Sequence, residues 1–296
     1  MNKPLLSIVI ANYNYGHFLG EAILSVIKQV GFDRCELIVV DGGSTDNSVE
    51  IIKKYEDKIA WWVSEKDKGQ SDAFNKGFAQ AKGRFLTWLN ADDVMLPGVI
   101  EKLKYAAAKY PKCEWFVGGV LWLDPQMKIF KCGRGRHMSK VRAMYGSVNV
   151  CGPSSFFTKE LYVRAGRIDE RFHYTMDTDL WKRFAINEHV IFKSITNYAW
   201  GLRLHPDAKM SGHKVLKDGT ILEGAASSKA FLQNVHRLEK IKQEDEWSKE
   251  KLISVTGRMS KLLRIMTTDY AAVIMSKIDT IRYKNCFWQN AGKLFR

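Results

Sequence analysis

The sequence has few cysteines, and they form no recognisable framework. They are odd in number, widely spaced and never arranged as C-x-x-C: Cys35, Cys113, Cys132, Cys151 and Cys286. This pattern excludes a disulfide scaffold and the common zinc sites, and it predicts a reducing compartment.

Long apolar runs are also absent. The N-terminal segment becomes polar at Asn12, and the longest apolar run is Trp115–Leu123. A helix that spans a bilayer needs about 20 consecutive apolar residues. We therefore expect a cytoplasmic protein, in peripheral contact with the inner face of the plasma membrane at most.

The phosphate loops of other nucleotide enzymes are missing as well. The sequence contains no G-x-x-x-x-G-K-[ST] and no G-x-G-x-x-G after an apolar run, so phosphates would be neutralised by a metal ion and basic side chains. What the chain does have is positive charge, with 46 Lys and Arg against 32 Asp and Glu, or +14. This excess is compatible with nucleic acid, an anionic membrane or a polyanionic small substrate.

The first 125 residues alternate short apolar runs with helical patterns, which predicts βαβ units and a mostly parallel sheet. Helical spacing follows each of the first four runs, and Pro97 is expected to open the fourth helix. The runs expected to form buried strands are Leu6–Ile10, Leu37–Val40, Trp61–Val63, Phe85–Leu89 and Trp115–Leu123.

The second half is less regular. Residues 125–150 are polar and basic and predict a long loop. Helices are expected near Lys159–Ala165 and Asp177–Ile186, and a strand is expected at Val190–Ile195. From about Val215 onward the pattern is helical and charged.

Polar residues follow each of the first four predicted strands. In open α/β sheets, ligands bind beyond the carboxyl ends of the strands, so these residues are the candidates for a site. The four segments are Ala11–Asn14, Asp41–Asp46, Glu65–Asp72 and Asn90–Asp93.

Two adjacent carboxylates, Asp92 and Asp93, stand out among these residues. Neighbouring carboxylates repel each other unless a cation or hydrogen-bond donors compensate, and hard oxygen ligands suit Mg²⁺ or Mn²⁺. The alternative is a helix N-cap before Pro97, a position where Asp is common.

Several motifs, in a fixed order, resemble those of family 2 inverting glycosyltransferases of the GT-A fold, close to members that build bacterial surface polysaccharides. The resemblance runs from about Leu6 to about Gly212. Its motifs are SIVIANYNYG, ELIVVDGGSTDNS, SEKDKGQSDAFNKG, GRFLTWLNADD, PSSFFTKELYVRAGRIDERFHYTMDTDLWKRF and RLHPDAKMSG.

The resemblance implies an α/β, Rossmann-like GT-A fold with a doubly wound, mostly parallel sheet, and the pattern after Val215 predicts a helical C-terminal extension. Residues 1–214 would form the catalytic domain, with a nucleotide-binding half over 1–125 and an acceptor half over 126–214. Residues 215–296 would form a helical, basic C-terminal region.

The same resemblance implies a set of residues that bind the nucleotide sugar. Asp41 would accept the base N–H, although a turn-forming Asp is its alternative, and Lys68 could instead be a surface lysine. The set is Ala11, Asn12, Tyr13, Asp41, Asp67, Lys68, Gly69, Asp72, Asn75, Asn90, Ala91 and Asp92.

For the metal ion, Mn²⁺ or Mg²⁺, the resemblance implies Asp93 and His205 as ligands, with Asp92 near the ribose. His205 has a structural role as its alternative. Asn90 replaces the family's first acid of the metal motif.

The resemblance selects Asp177 as the catalytic base. Met176 stands where the family usually has a glutamate, and Asp179 has the alternative role of a first-turn helix acid.

The implied reaction transfers a sugar from a nucleotide diphosphosugar to a saccharide or lipid-linked saccharide acceptor, with inversion. A nucleotidyltransferase is one alternative, but ANYNYGHF lacks the basic Gly-rich loop that it would need. A non-catalytic nucleic-acid-binding protein is another, suggested only by charge, and no such motif supports it. We therefore expect no nucleic-acid partner.

The C-terminal quarter predicts a membrane contact. Residues 225–296 carry 14 Lys and Arg against 7 Asp and Glu. Apolar residues share one helical face between Leu252 and Met266, with Arg258, Lys261 and Arg264 off it. Such a helix can lie in a membrane interface, or it can pack on the catalytic domain.

Overall fold

The computed structural model confirms the α/β class. The residues it describes are 3–135, 152–172, 175–188, 190, 192–195, 198–208, 214–215 and 221–222, the last two pairs by their backbone only.

Strands and helices alternate through the first half, as predicted. The strands are β1 Leu6–Asn12, β2 Cys35–Asp41, β3 Trp61–Ser64, β4 Phe85–Asn90, β5 Val94–Met95, β6 Trp115–Val117, β7 Val120–Leu123, β8 Ile129–Gly133, β9 Ser155–Thr158, β10 Lys193–Ser194, β11 Trp200–Arg203, β12 Lys214–Val215 and β13 Ile221–Leu222. The helices are α1 Gly16–Ile27, α2 Ser48–Lys54, α3 Gln70–Gln80, α4 Val99–Lys109, α5 Lys159–Arg164 and α6 Met176–Ile186.

The main sheet has the order β10-β6-β9-β4-β1-β2-β3. Strands β1 to β4 are parallel to one another, and β10 is parallel to β6. Strand β9 is antiparallel to both of its neighbours. The sheet is therefore mostly parallel, and the carboxyl ends of its first four strands meet at one edge.

Hydrophobic clusters cover both faces of this sheet. One contains apolar residues of α1, α2 and α4, and the other contains those of α3, α5 and α6. In the second cluster, the ring of Trp181 stacks between Trp88 and Trp115, with both centroid distances at 5.4 Å. Trp181 is thus a core residue, and this packing fixes α6 on the sheet.

The predicted strand Trp115–Leu123 is in fact two strands in different sheets. Strand β6 joins the main sheet, whereas β7 joins a second sheet of order β5-β11-β7-β8. The chain changes sheet at Gly118, which donates its N–H to Ser154 O, and at Gly119, which accepts from Ala199 N. Both strands are buried, so their apolar pattern does not show the break.

Three further predictions of local structure are corrected. Strand β8 lies within the predicted loop over residues 125–150, and of the described residues in the predicted strand Val190–Ile195 only Lys193–Ser194 form a strand. Helix α4 begins at Val99 rather than Pro97, because Gly98 has a left-handed φ of 78°.

The expected helix does not begin at Val215, since β12 pairs with β13 in an antiparallel ribbon. The remainder of the predicted C-terminal helical region, residues 223–296, lies outside the described residues. Within the described part of the chain, no helix has the length and apolar character needed to cross a membrane.

Candidate functional site

The carboxyl ends of four neighbouring strands form a row of polar side chains. Asn12 ends β1 in register with Asp41 of β2, and Asp41 is in register with Ser64 of β3. On the other side of β1, Asn90 of β4 pairs with Ala11. The structure therefore brings together the strand-end residues that the sequence predicts.

Asp41 is fully buried and lies at the centre of this row. Its Oδ1 accepts from Asn12 Nδ2 at 2.6 Å and from the Ser44 hydroxyl, while its Oδ2 accepts from Ser44 N and from the Ser64 hydroxyl at 2.6 Å. A carboxylate offers about four acceptor positions, and all four are used. Among the described residues, the neighbouring Asn12 Oδ1 is buried without a hydrogen-bond partner.

The segment between β3 and α3 is held by its own acids. Asp67 Oδ1 accepts from Gly69 N at 2.8 Å, and Asp72 Oδ2 accepts from Lys68 N at 3.0 Å. Gly69 has a φ of 115°, which a residue with a side chain rarely adopts. A Cβ at Gly42 would lie 2.7 Å from Asp67 Oδ2, so this loop packs directly on the loop after β2.

Asn75 has a different place from the one predicted. Its Nδ2 donates to Ile168 O at 2.9 Å and to Glu170 Oε1 at 3.0 Å, and its Oδ1 accepts from the Tyr162 hydroxyl. These bonds hold the side chain against α5 and the loop that follows it.

Asp93 is buried and anchored by the protein itself. Its Oδ1 accepts from Arg203 N at 3.0 Å, and its Oδ2 accepts from Asn90 Nδ2 at 2.7 Å. Gln70 Nε2 in turn donates to Asn90 Oδ1 at 2.9 Å, which fixes the amide. Burial, together with the Asp92 carboxylate, raises the pKa of Asp93 well above its usual range.

Asp92 is partly exposed and faces His205. The Asp92 Oδ2 atom lies 3.2 Å from His205 Nε2, and the buried His205 Nδ1 has no hydrogen-bond partner among the described residues. The imidazole packs against the rings of Tyr15 and Phe18, with centroid distances of 5.7 and 4.6 Å. Burial raises the pKa of Tyr15 to about 12, so its hydroxyl stays protonated.

Asp92 Oδ2 and His205 Nε2 are close enough to bind the same octahedral cation. Two ligand atoms in adjacent positions, each about 2.0–2.1 Å from the ion, lie about 3 Å apart. Both oxygens of Asp93, the predicted ligand, accept hydrogen bonds from the protein, whereas Asp92 lies directly beside His205. No group of three or more His, Cys, Asp or Glu side chains suited to a metal occurs within the described ranges. The remaining ligands would be phosphate oxygens and water, as is usual for Mg²⁺.

Arg203 lies close to these acids, but its side chain is not accessible to a phosphate. Its guanidinium is buried, forms an ion pair with Glu21 and lies 4.6 Å above the ring of Phe18. It holds β11 against α1. This contact positions Arg203 N, which donates to Asp93, and His205, two residues further on.

Asp177 lies at the start of α6, where its Oδ1 accepts from Thr178 N at 2.6 Å. Thr175, just before the helix, has a φ of 61°, a strained conformation for a β-branched residue. Such strain is often found at functional sites. Asp179 instead pairs with Arg183, at 2.7 Å, which fits its predicted structural role.

The starts of α3 and α6 meet near the strand ends. Ser71 donates its hydroxyl hydrogen bond to Phe172 O at 2.8 Å and contacts Met176 Sδ at 3.1 Å. Gln70, the preceding residue, reaches Asn90 at the end of β4, so the first turn of α3 connects the start of α6 to that strand end.

Three of these positioning residues, Ser44, Gln70 and Ser71, lie within the polar segments Asp41–Asp46 and Glu65–Asp72 that the sequence predicts, but no role was assigned to them. Ser64 was missed, although it directly follows the predicted strand Trp61–Val63, so its position was a usable signal. The hydrogen-bond roles of Gln70 and Ser71 gave no signal, because a first-turn polar residue is ordinary in any helix.

The chain is similar to known proteins in sequence and fold. Residues 7–120 match the family described as glycosyl transferase family 2. An uncharacterized glycosyltransferase of Nostoc sp. is 41% identical over 102 residues, which are 33% of this chain and 31% of that protein. One from Mycobacterium tuberculosis is 30% identical over 62% of this chain and 70% of its own length.

The fold resembles that of S. aureus TarS 1-349, crystallised in complex with UDP-GlcNAc. The TM-score is 0.53 with 19% identity, over 70% of this chain and 60% of that chain. The sheet order and this likeness together show a GT-A fold. The present chain spans less than a third of the Nostoc relative.

Proposed function

Since this chain belongs to glycosyl transferase family 2, we propose that it transfers a sugar from a nucleotide diphosphosugar to an acceptor hydroxyl, with inversion. The observations that support this proposal are the contact of Asp92 with His205 and the link from the end of β4 to the start of α6, which runs through the first turn of α3. One acid then serves the donor side and another, Asp177, serves the acceptor side.

The donor would bind over the ends of β1, β2 and β4. Asn12 Oδ1, buried without a partner in the described ranges, would accept the base N–H. The resemblance implies this role for Asp41, whose four acceptor positions are already used within the protein. UDP-GlcNAc in TarS supports a UDP-sugar donor. Asp92 and His205 would hold a divalent cation, Mn²⁺ or Mg²⁺, which offsets charge on a leaving diphosphate when bound.

On the acceptor side, Asp177 takes the proton from the acceptor hydroxyl. The hydroxyl oxygen forms a bond to the anomeric carbon while the bond from that carbon to the diphosphate breaks on the opposite face. The nucleoside diphosphate leaves, and the configuration inverts. The acceptor would be a saccharide or a lipid-linked saccharide of a bacterial surface polysaccharide.

Replacement of Asp177 tests the proposal. Asp177→Asn keeps the shape of the side chain but cannot accept the proton, so single-turnover transfer with saturating donor should fall by about 10²- to 10⁴-fold. The affinity for UDP should stay the same, because the base contacts the acceptor.

Asp179→Asn is the matched control, since it lies two residues away and only loses the ion pair with Arg183. Its transfer rate should stay much closer to that of the wild type than the rate of Asp177→Asn does, provided that its melting curve is unchanged. Normal transfer by Asp177→Asn beside an inactive, folded Asp179→Asn would place the base at Asp179 instead. Release of diphosphate from a nucleoside triphosphate would favour a nucleotidyltransferase.

A further inference from the structure

An open cleft lies on the flank of the molecule, between α3, α6 and the loop after α5. It measures about 530 Å³ and is lined by Asn75 of α3, Arg183 of α6 and residues 165–170 of the loop. This volume lies within the range of about 300–1,000 Å³ that is typical of ligand pockets.

Two consecutive left-handed residues shape the cleft. Gly166 has a φ of 85° and Arg167 a φ of 64°, and their N–H groups close the end of α5 on Val163 O and Tyr162 O. The chain therefore turns sharply after α5 and leaves a gap beside α6. A Cβ at Gly166 would lie 3.5 Å from Arg183 Nη1, so the gap has room for a side chain.

The walls of the cleft are held in place by hydrogen bonds. Asn75 is bonded to Ile168, Glu170 and Tyr162, and Arg183 is bonded to Asp179 and to Ala165 O. Such fixed groups lose little entropy when a ligand binds. By contrast, the exposed Arg167 guanidinium forms no hydrogen bond with any other described residue.

The cleft begins close to the proposed base. The starts of α3 and α6 meet at Ser71 and Met176, and both helices run from there to the cleft. With a rise of about 1.5 Å per residue, Asn75 lies about 7.5 Å from Gln70 at the start of α3, and Arg183 lies about 9 Å from Asp177 along α6.

The charges of the cleft indicate a neutral ligand. Arg167 and Arg183 balance Asp169 and Glu170, so a phosphate would gain no net attraction. Carboxylates accept from hydroxyls and guanidinium groups donate to them, which is the chemistry that binds a sugar. We infer that this cleft binds the neutral saccharide chain of the acceptor, next to the unit whose hydroxyl reacts; this inference rests on the proposed function.

A variant that fills the cleft tests the inference in the full-length chain. Gly166→Asn places a side chain in the gap, and Asn tolerates a positive φ. Gly98→Asn is the matched control, because Gly98 has a φ of 78° and no atom lies within 4 Å of its added Cβ. Arg167→Ala removes the unpartnered donor without adding bulk.

The probes are neutral oligosaccharides of two to six hexose or N-acetylhexosamine units, titrated by ligand-observed NMR. Affinity should rise with length until the cleft is filled. It should fall about tenfold in Gly166→Asn and Arg167→Ala, which is the scale of one charge-assisted hydrogen bond. The affinity of these two variants for UDP in Mn²⁺ should not change. The control Gly98→Asn should keep the melting temperature of the wild type.

The inference fails if no probe binds the wild type, or if Gly166→Asn and Arg167→Ala bind the probes as the wild type does. If inorganic phosphate in the millimolar range displaced the oligosaccharides, the inference that the cleft binds a neutral ligand would also be wrong. A chain that binds the probes in the cleft but binds no UDP would refute the proposed function instead, so the two failures are distinguishable.

Discussion

Asp92 and Asp93 are adjacent in the chain but lie in different surroundings. Asp93 is closed in by Arg203 N and Asn90 Nδ2, whereas Asp92 keeps contact with solvent and with His205. Asn90 fits this arrangement because an acid in its place would set a second carboxylate against the buried Asp93. Asn90, which replaces the family's acid, is therefore compatible with the buried Asp93 because its amide can donate to that carboxylate.

These surroundings predict separate effects of two substitutions. Asp92→Asn should remove most of the gain in UDP affinity that Mn²⁺ gives, because a charged ligand is lost. Asp93→Asn should mainly lower the free energy of unfolding, by about 1–3 kcal/mol, since its new amide would oppose the Asn90 amide. Calorimetry with Mn²⁺ and with chelator, and urea unfolding, measure the two effects.

The opposite result would support Asp93, rather than Asp92, as the ligand of the metal ion. In that case Asp93→Asn would abolish the metal dependence at unchanged stability, and Asp92→Asn would keep it. His205→Ala should follow Asp92→Asn, because both side chains would hold the same cation.

At the scale of elements, the position of α3 depends on a glycine. Gly77 faces the sheet, and a Cβ there would overlap Val9 Cγ1. The close approach matters for the site because α3 begins with Gln70, which fixes Asn90. Gly20, in α1, has only Ile51 Cγ2 near its added Cβ, at 3.8 Å.

The two glycines should respond oppositely to alanine. Gly77→Ala should lower the free energy of unfolding by about 1–3 kcal/mol, because the added methyl group overpacks the core, and it should weaken UDP binding. Gly20→Ala should raise the free energy of unfolding by about 0.5–1 kcal/mol, the usual gain when alanine replaces glycine in a helix interior. Urea unfolding measures both, and equal effects would show that α3 does not depend on this contact.

At the scale of the whole molecule, the positive charge is concentrated in the C-terminal quarter. We propose that residues 225–296 contact an anionic membrane, because basic residues near anionic lipid contribute about 1 kcal/mol each. The full chain should sediment with anionic vesicles and not with neutral ones. Reversal of Arg258, Lys261 and Arg264 to Glu should release it.

Salt provides the check on this prediction. Binding should weaken as ionic strength rises, since the attraction is screened. Equal binding to neutral and anionic vesicles, or no binding to either, would favour a region that packs on the catalytic domain. A reversal of Lys102, Lys104 and Lys109 on α4 controls for non-specific loss of charge.

The sequence by itself determined the parallel half of the fold and the edge where the candidate site lies. Each apolar run followed by a helical pattern specifies a βαβ unit, and parallel strands end at the same edge. The polar residues after the runs therefore had to meet, which is why Asn12, Asp41 and Asn90 were found without a structure. Local pattern and connection length were sufficient for that.

Only the tertiary structure decided how those residues are used. Asp93 is enclosed because β11, more than a hundred residues later, supplies Arg203 N, and Asn75 is held where the loop after α5 supplies Ile168 O and Glu170 Oε1. The division of Trp115–Leu123 between two sheets also depends on partners far along the chain. Periodicity records which face of a segment is apolar, but not which distant segment will cover it.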